Sequence, residues 1–436
     1  MAIGIGLLGL GTVGTGTAEI LLTPQGRHLL LGEVVLKKAG VRSLDKPRKI
    51  DLPEGCLTTD LKAIVSDPEV DIVVELLGGI EPCRTLILEA IANGKHIVTA
   101  NKAVIAKHGE EIFKAANQAG VYVLLEAAVG GGIPIIKPLK QSLGVNRISR
   151  VIGIINGTTN YILTKMAQDG ADFADVLKDA QELGYAEADP TADVGGGDAA
   201  DKISILASLA FGGRIKREDV YCEGITSISA ADISFAAKLN FVIKLLAIAE
   251  RPDLEEEALQ LRVHPTLVPE GHPLASVNGV FNAILVEGSP LGEVMLYGPG
   301  AGAGATASAV VSDIVHVVGL LHSDTTVRDQ SEKTLNPLLG CSHEHYSPTL
   351  SIDTLKTRFY ARFLSQDLPG VIGDLGTRFG NHQVSLESVV QIGLQDDCAE
   401  IVVVTHDVYE ANFREALNEI KGLEAIKDVP SILRVL

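Results

Sequence analysis

Short apolar runs alternate with longer amphipathic segments over the first 130 residues of the chain. The apolar runs include IGIGLL at the start, then EVVLKKAGV, VDIVVELLG, HIVTA and VYVLLEAAV, with helical LILEAIANG and EEIFKAANQAG between them. Alternation of this kind is typical of a parallel, doubly wound sheet. The pattern therefore predicts an α/β domain over residues 1–133.

The pattern changes twice further along the chain. Residues 134–325 mix strands and helices, which predicts a second, α+β domain, and the polar, irregular 326–352 is predicted to be a linker. From residue 353 the order is strand, helix, strand, strand, helix, strand. This βαββαβ order predicts a small ferredoxin-like module over residues 353–436.

Composition narrows the class of protein. Apolar residues make up 46% of the 436, and the net charge of −18 disfavours non-specific binding to nucleic acid or anionic membranes. The five cysteines lack CxxC spacing, as expected for reduced thiols, and the N-terminus lacks a basic leader. We expect a cytoplasmic protein with neither a nucleic-acid nor a membrane partner.

A glycine motif follows the first strand. Gly9, Gly11 and Gly14 form GxGxxG, and Thr12 and Val13 begin the next helix. Such glycines permit a tight turn and a close approach of the backbone to a pyrophosphate at the helix N-terminus. With a strand before it and a helix after it, the motif predicts a Rossmann-like site for a nicotinamide dinucleotide at these five residues.

The end of the second strand bears on cofactor choice. Glu33 opens that strand, whereas Arg42 lies at its end, where a residue reading the adenosine ribose is expected. A cation there accommodates a 2′-phosphate, so we predict NADP, with NAD as the alternative. A solvent-facing Arg42 is the competing interpretation.

Three further segments carry candidate ligand groups. TANK delivers Lys102 to the carboxyl edge of the sheet, where ligands bind in this architecture. EAAVGGGIP, beginning at Glu126, offers oxygen donors for a hard cation or forms an interdomain hinge. INGTTN, with Thr158, is either a carboxylate site at a helix N-terminus or an ordinary cap. The residues alone leave the last two choices open.

The stretch ELGYAEADPTADVGGGDAADK combines six carboxylates, a run of three consecutive glycines and a terminal Lys202. Pro190 and the glycines are expected to exclude helix before residue 198. Asp198 then begins a helix with Lys202 four residues later on the same face. The carboxylates of Glu187 or Asp193 fit an amino acid's ammonium, and Lys202 is the candidate proton donor. A solvated surface ion pair is the alternative.

Two weaker patterns remain. Gly302 and Gly304 open a small-residue helix that either approaches the nicotinamide or packs on the cofactor domain. Cys341, His343 and His345 have the residue types and close spacing of half a metal site, but the sequence offers no second half.

The acidic stretch also carries a family signature. Its members are Ala180, Gly184, Tyr185, Asp189, Pro190, Asp193, Val194, Gly196, Asp198 and Lys202. Together with TANK and GTTNYIL, this spacing resembles the homoserine dehydrogenase family, and the C-terminal module resembles an ACT domain with its ligand-binding turn at residues 367–371. The resemblance runs along nearly the whole chain.

That resemblance implies a reaction and a set of roles. The reaction is reversible NAD(P)H-dependent reduction of L-aspartate 4-semialdehyde to L-homoserine, in threonine, methionine and isoleucine biosynthesis. The implied roles are catalysis by Lys202, Lys102 and Asp198, substrate binding by Glu187, Asp193, Thr158 and Tyr185, and a sodium-type cation at Glu126, Val129, Gly131 and Ile133. Lys102 is implied at the cofactor as well. A homodimer and an amino-acid effector such as threonine are also implied.

Two rival functions compete with this one. Aspartate-semialdehyde dehydrogenase also has a Rossmann half but needs a nucleophilic cysteine, and no cysteine here stands at a suitable helix start. A non-catalytic amino-acid sensor would account for the ACT-like module alone.

Overall fold

The computed structural model describes residues 2–324, 335–336, 338–340, 343, 345–395 and 398–436. Cys341 and about half of the predicted linker lie outside these residues. The chain forms two compact units. Unit 1 comprises residues 1–151, 201–217 and 282–346, and unit 2 comprises residues 152–200, 218–281 and 347–436.

The helices of the described residues are α1 (Thr12–Leu22), α2 (Leu61–Ser66), α3 (Cys83–Ala92), α4 (Lys102–Ala119), α5 (Ile136–Lys140), α6 (Gly157–Asp169), α7 (Phe173–Glu182), α8 (Thr191–Val194), α9 (Gly197–Phe211), α10 (Ala230–Lys238), α11 (Ala303–Asp324), α12 (Val371–Asn381) and α13 (Glu410–Ile420). The strands are β1 (Ile3–Leu8), β2 (Val34–Gly40), β3 (Leu57–Thr58), β4 (Ile72–Glu75), β5 (His96–Thr99), β6 (Val123–Leu124), β7 (Arg147–Ile154), β8 (Tyr221–Cys222), β9 (Phe241–Glu250), β10 (Gln260–Pro269), β11 (Phe281–Ser289), β12 (Gly292–Pro299), β13 (Lys356–Ser365), β14 (Leu386–Gln395), β15 (Cys398–Thr405), β16 (Val408–Tyr409) and β17 (Ile426–Val435).

Unit 1 contains the predicted doubly wound sheet. Its six strands are all parallel, in the order β3-β2-β1-β4-β5-β6. The order reverses between β1 and β4, and ligands bind at such a switch point in open α/β sheets. The buried Ile5, Leu7, Ile72 and Val74 show why these runs form central strands, since both faces of the sheet are covered.

The long helix α11 packs on the first helix of this sheet domain. A Cβ added at Gly16 of α1 would lie 2.8 Å from the carbonyl oxygen of Ala303 and 3.2 Å from the Ala307 Cβ. Val310 and Ile314 of α11 belong to the same core as β1. By length and composition α11 alone among the described helices could cross a membrane, but core helices pass that test too, so this is weak evidence.

Unit 2 holds a mixed sheet and the C-terminal module. β9 and β10 pair antiparallel along their whole length, and β8 and β17 pair with β10 in parallel. β17, β13, β15 and β14 follow as antiparallel neighbours, with α12 and α13 packed over a core that includes Phe359, Phe379 and Phe413. The βαββαβ prediction for the module is therefore confirmed.

One local prediction was wrong. The segment between residues 185 and 197 was expected to be free of helix, yet Thr191–Val194 forms the single turn α8. Pro190 precedes the turn at its N-cap, where a missing N–H costs nothing. Gly196, at φ +83°, then ends it.

Candidate functional site

The GxGxxG glycines form a tight turn between β1 and α1. Gly9 has a φ of +106°, and a Cβ added at Gly14 would lie 2.2 Å from the Gly9 carbonyl oxygen. Gly11 is exposed and has open space where a Cβ would stand. The first and third glycines are therefore required by the turn itself, whereas the second leaves the backbone open to a ligand.

Helix α1 begins directly after Gly11. Thr12, its first residue, is exposed, Val13 is half-buried, and the first turn of α1 carries no acidic side chain. The first backbone N–H groups of a helix lack intrahelical partners and attract anions. This eleven-residue helix therefore offers a phosphate site at its N-terminus, as the sequence predicts.

The loop after β2 is organised by a second arginine. Arg42 is exposed, two residues beyond the end of β2. Arg48 donates to the carbonyl oxygens of Ser43 (2.5 Å), Leu44 (3.0 Å) and Lys46 (2.9 Å), which closes the loop around one guanidinium. The sequence analysis missed Arg48, although a second arginine six residues after the first was visible.

A buried hydrogen-bond network fixes the start of α4. The Glu75 carboxylate accepts from the Thr99 hydroxyl at 2.8 Å, and that hydroxyl in turn accepts from the Asn101 amide at 3.0 Å. The Asn101 side chain donates to the Gly79 carbonyl oxygen at 2.8 Å and caps the helix. Lys102 is the first residue of α4, half-buried, so its position is set by the ends of two neighbouring strands.

In unit 2, one amide joins two of the predicted acids. The Asn156 Nδ2 donates to Asp193 Oδ1 at 2.6 Å and to Asp198 Oδ2 at 2.9 Å. Its Oδ1 accepts from the Thr159 amide (2.8 Å) and hydroxyl (3.0 Å) at the start of α6. All four hydrogen-bonding positions of this side chain are therefore used, and they hold two carboxylates beside each other. Asp198 is buried and Asp193 half-buried.

The other predicted substrate residues are Thr158, Tyr185 and Glu187. The Thr158 hydroxyl donates to the Tyr185 carbonyl oxygen at 2.7 Å, and the Tyr185 ring lies 4.9 Å from that of Tyr161. Glu187 is exposed, while Gln181 donates to its carbonyl oxygen at 3.0 Å. Thr158 thus ties the tyrosine to the start of α6.

Helix α9 carries Asp198 in its first turn and the half-buried Lys202 one turn later. Residues four apart lie on the same face of a helix. Asp198 therefore lies on the same helix face as Lys202, one turn before it. We call Asp193 and Asp198, which both bind Asn156, the acid pair.

The segment predicted to bind a cation is buried in unit 1. Glu126 Oε1 accepts from the amides of Ile135 (2.6 Å) and Ile136 (2.8 Å), and Oε2 accepts from that of Lys137 (3.0 Å). A carboxylate has about four lone-pair positions, so one remains for a cation. The amide of Glu126 donates to the buried Asp313.

Gly131 and the carboxylate of Asp313 belong to the same buried surroundings as Glu126. Gly131 has a φ of +56°, and a Cβ there would lie 2.2 Å from the Gly300 carbonyl oxygen. Val129 and Ile133 are buried. Burial raises the pKa of Asp313 to about 6, against the opposing effect of Lys137, whose Nζ lies 2.9 Å away. The oxygen-rich, acidic donor set fits a hard cation in kind.

Gly302 and Gly304 lie at the exposed start of α11. Gly302 has a φ of +127°, and no atom lies within 4 Å of a Cβ built at either glycine. Both sequence interpretations of this segment are thus compatible with the structure, since the helix packs on α1 and its first residues stay open.

Cys83 is the first residue of α3, so the expectation that no cysteine stands at a helix start was wrong in position, but its thiol and that of Cys56 are buried and lack the features of a nucleophile. Cys83 is buried, and desolvation together with the nearby Glu75 raises its pKa to about 12. Burial also raises the pKa of Cys56. The Cys222 thiol donates to the Gly195 carbonyl oxygen at 3.3 Å.

Comparison with known proteins agrees with this arrangement. Residues 9–126 match the NAD-binding domain of homoserine dehydrogenase, residues 134–315 match homoserine dehydrogenase, and residues 359–425 match the ACT domain. A homoserine dehydrogenase of Synechocystis sp. is 67% identical over 437 residues, which cover 100% of both chains. The chain belongs to the homoserine dehydrogenase family. It is therefore an oxidoreductase that acts on a CH–OH group.

Other members of the homoserine dehydrogenase family extend the comparison. The Bacillus subtilis homoserine dehydrogenase is 40% identical, with 100% of this chain and 98% of that protein covered. The crystal structure of a homoserine dehydrogenase from Thiobacillus denitrificans has a TM-score of 0.90 and 43% identity, over 100% of this chain and 98% of that one. A hyperthermophilic archaeal homoserine dehydrogenase in complex with NADPH has a TM-score of 0.62 and 27% identity, covering 73% of this chain and 98% of that one.

Within this homoserine dehydrogenase fold, the predicted residues fall into four groups. The glycine turn with Thr12 and Val13, the start of α4 with Lys102, and the cation segment lie in unit 1, whereas the acid pair with Thr158 lies in unit 2. The roles of the individual residues stay predictions. Sequence reasoning missed Glu75, which stands within an apolar run and is satisfied there by Thr99 and two backbone amides.

Proposed function

We propose that this protein catalyses the reversible, NADP-dependent interconversion of L-homoserine and L-aspartate 4-semialdehyde, in the biosynthesis of threonine, methionine and isoleucine. The observation that carries the proposal is the acid pair on Asn156, placed where the Lys202 helix begins. Two carboxylates on one amide provide an anionic site for the ammonium of an amino acid, and the family membership supplies the reaction class.

The chain's own residues bind the substrate and move one proton. Asp193 and Glu187 hold the substrate ammonium, and Thr158 fixes Tyr185 beside them. Bound NADP supplies the hydride chemistry of the reaction. Lys202 donates a proton to the carbonyl oxygen as negative charge develops there, and it takes the proton back in the reverse direction. Asp198 positions Lys202 from the preceding turn, and Lys102 serves both the substrate and the cofactor.

NADP is proposed over NAD because of Arg42. A guanidinium at the end of the second strand matches the charge and geometry of a 2′-phosphate. The hydrogen bonds from Arg48 to backbone carbonyl oxygens support this role, since they hold the loop that follows Arg42. The phosphates of either cofactor would lie on Gly9, Gly11, Thr12, Val13 and Gly14, and Gly302 and Gly304 would border the nicotinamide.

A sodium-type cation is proposed at Glu126 with the carbonyl oxygens of Val129, Gly131 and Ile133. Its support is the free lone-pair position of Glu126 and the burial of the segment. Such an ion would tie the segment after β6 to the start of α5, which is a structural contribution.

The assembly, regulation and location follow family expectation. We propose a homodimer formed through the middle domain and an amino-acid effector such as threonine at residues 367–371 of the ACT domain. Gly370 there has a φ of +98° and caps α12, which makes an open turn at the start of an eleven-residue helix. Among the described residues Cys56, Cys83 and Cys398 form no disulfide, which supports a cytoplasmic location.

Initial-rate kinetics test the proposal. Oxidation of NADPH and of NADH is followed with aspartate semialdehyde, with and without threonine. We expect turnover that depends on the semialdehyde and a higher kcat/KM for NADPH. Absence of semialdehyde-dependent oxidation with either cofactor would overturn the function, and equal rates would overturn the cofactor preference.

A further inference from the structure

Residues 191–196 comprise the turn α8 and the two glycines after it, and are called the acid loop here because they carry Asp193. The acid loop packs against the backbone of residues 221–225. The Ile225 amide donates to the Val194 carbonyl oxygen at 2.8 Å. A Cβ at Gly224 would lie 2.2 Å from that same oxygen, so only glycine permits this approach. A shift of the 221–225 segment therefore moves the acid loop with it.

The 221–225 segment is held by the neighbouring strand. β8 lies parallel to β10, with Tyr221 opposite Arg262 and Cys222 opposite Val263. The Glu223 amide donates to the Val263 carbonyl oxygen at 2.8 Å. The pairing is only two residues long and ends where the segment reaches the acid loop, so side-chain contacts are needed to fix it further.

Those contacts come from the last strand of the ACT domain. Arg434 of β17 donates through Nη1 to Glu223 Oε2 at 2.8 Å and through Nη2 to the Tyr221 hydroxyl at 3.2 Å. The Tyr221 hydroxyl donates to the same Glu223 oxygen at 3.1 Å and accepts from Arg414 at 2.9 Å. A single residue of the ACT domain thus binds both polar side chains of the segment.

Arg434 is itself rigidly placed. Its side chain is 4% exposed, and Nε donates to Glu410 Oε2 at 2.8 Å. Burial lowers the pKa of Arg434. The hydrogen bonds to Glu410 and the negative charges of Glu410 and Glu223 outweigh that effect, so the pKa lies above its ordinary value. The guanidinium is therefore a permanent, buried cation, and Glu223, 33% exposed, is the more exposed partner.

We propose that Glu223, held by Arg434, is a positioning residue for the substrate's amino group. The path runs from the ACT strand through Glu223 to the 221–225 backbone and on to the acid loop, which presents Asp193. It rests on the proposed function, because that function assigns the ammonium to Asp193. The ACT domain thereby sets the affinity for homoserine even before an effector binds.

The test is Glu223→Gln in the full-length protein, with Glu223→Asp as the conservative variant. Loss of the carboxylate releases the segment, so KM for homoserine is expected to rise about 3- to 30-fold. The kcat and the KM for NADP are expected to stay within about twofold, because ground-state and transition-state binding are weakened alike. Glu223→Asp should retain most of the affinity.

Hydrogen exchange provides a readout that needs no turnover. In Glu223→Gln, peptides covering residues 191–196 and 222–225 are expected to exchange faster, with the rest of the protein unchanged. The matched control is Arg378→Gln, which removes the Arg378–Glu419 ion pair elsewhere in the ACT domain and should alter neither readout.

Three outcomes decide the matter. A raised KM with faster exchange at the acid loop supports the proposal. Unchanged exchange, or equal losses in kcat, NADP affinity and melting temperature, overturns it. A wild-type protein inactive on homoserine refutes the proposed function instead, and exchange at the two segments still decides whether Glu223 positions the loop.

Discussion

The guanidinium of Arg362 forms a bidentate ion pair with the fully buried carboxylate of Asp232. Nε donates to Oδ1 at 2.7 Å and Nη2 to Oδ2 at 3.3 Å, while Nη1 binds Glu400 at 2.8 Å. Asp232 also closes the capping box of α10 with Ser229. The first strand of the ACT domain, β13, is therefore bound to α10 of the second, α+β domain by a buried ion pair.

Removing Arg362 should destabilise the protein strongly. In Arg362→Met, Asp232 stays buried without its cation, and breaking a buried pair in this way costs about 3–5 kcal/mol. Thermal and urea unfolding of the variant measure the loss. Adding Asp232→Asn should restore part of the stability, because the buried charge is then gone.

Arg358 on the same strand is the matched control. It pairs with Glu387 at a more exposed position, with side chains 33% and 42% exposed. Exposed pairs contribute about 0–1 kcal/mol, so Arg358→Met is expected to change stability little. Equal effects of the two substitutions would show that the buried pair has no special role.

Local sequence patterns were enough for much of the fold. Gly9 and Gly14 were predictable because a tight turn before a helix needs them, and the parallel, doubly wound sheet was predictable from the alternation of strands and helices. The βαββαβ module was visible because each of its strands and helices has its own periodicity. These features depend on residues close together in the chain.

The missed features depend on residues far apart in the chain. Asn156 meets Asp193 and Asp198 across 37 and 42 residues, and Arg434 meets Glu223 across 211. A sequence shows that each side chain is polar, but the partner is chosen by the packing of strands and helices. The same limit hid Glu75, whose apolar neighbours gave no sign of its hydrogen bonds.

Lys202 is the residue on which the proposed chemistry depends most. Lys202→Ala should fold normally and lose on the order of 10²- to 10⁴-fold in kcat, since general acid–base groups contribute that much. Steady-state rates in both directions measure the loss. Lys178→Ala, at an exposed i,i+4 pair on α7, is the control, and near-normal turnover in Lys202→Ala would end the assignment.

Cofactor preference should respond to Arg42. Arg42→Asp places an anion where the 2′-phosphate is proposed, so kcat/KM for NADPH is expected to fall about tenfold or more, with NADH affected less. Arg48→Ala is the comparison variant. Because Arg48 binds loop carbonyls, we expect it to weaken both cofactors, and an unchanged NADPH-to-NADH ratio in Arg42→Asp would place the phosphate elsewhere.

The amide of Asn156 should control homoserine affinity. Asn156→Ser keeps an oxygen that can cap α6 but loses the two donors to Asp193 and Asp198. Hydrogen bonds to charged groups contribute about 1.5–3 kcal/mol, so KM for homoserine should rise about 10- to 100-fold. Saturation curves for homoserine and NADP separate this from a general loss, and an unaltered homoserine KM would contradict it.

Lys244 gives unit 2 a predictable pH dependence. The residue is 2% exposed, and its ammonium donates to Asn160 (3.2 Å), to the Val277 carbonyl oxygen (2.5 Å) and to Asn278 (3.0 Å). Burial lowers its pKa from 10.5 to about 8. The unfolded chain therefore holds this proton up to a higher pH than the folded chain does.

The sign of the effect follows from proton counting. Below pH 8 both states are protonated, and the buried charge weakens folding in full. Between about pH 8 and 10.5 the unfolded state binds more protons, so the contribution of Lys244 to the free energy of unfolding rises with pH. The whole change is on the order of 3 kcal/mol.

Lys244→Met isolates this contribution, because other groups titrate alike in both proteins. The unfolding free energy of the wild type minus that of the variant is expected to increase from pH 7.5 to pH 10 by about 2–3 kcal/mol. Urea unfolding at intervals across that range measures it. Parallel curves would mean that Lys244 keeps its proton when buried, and that its three oxygen partners outweigh the loss of water.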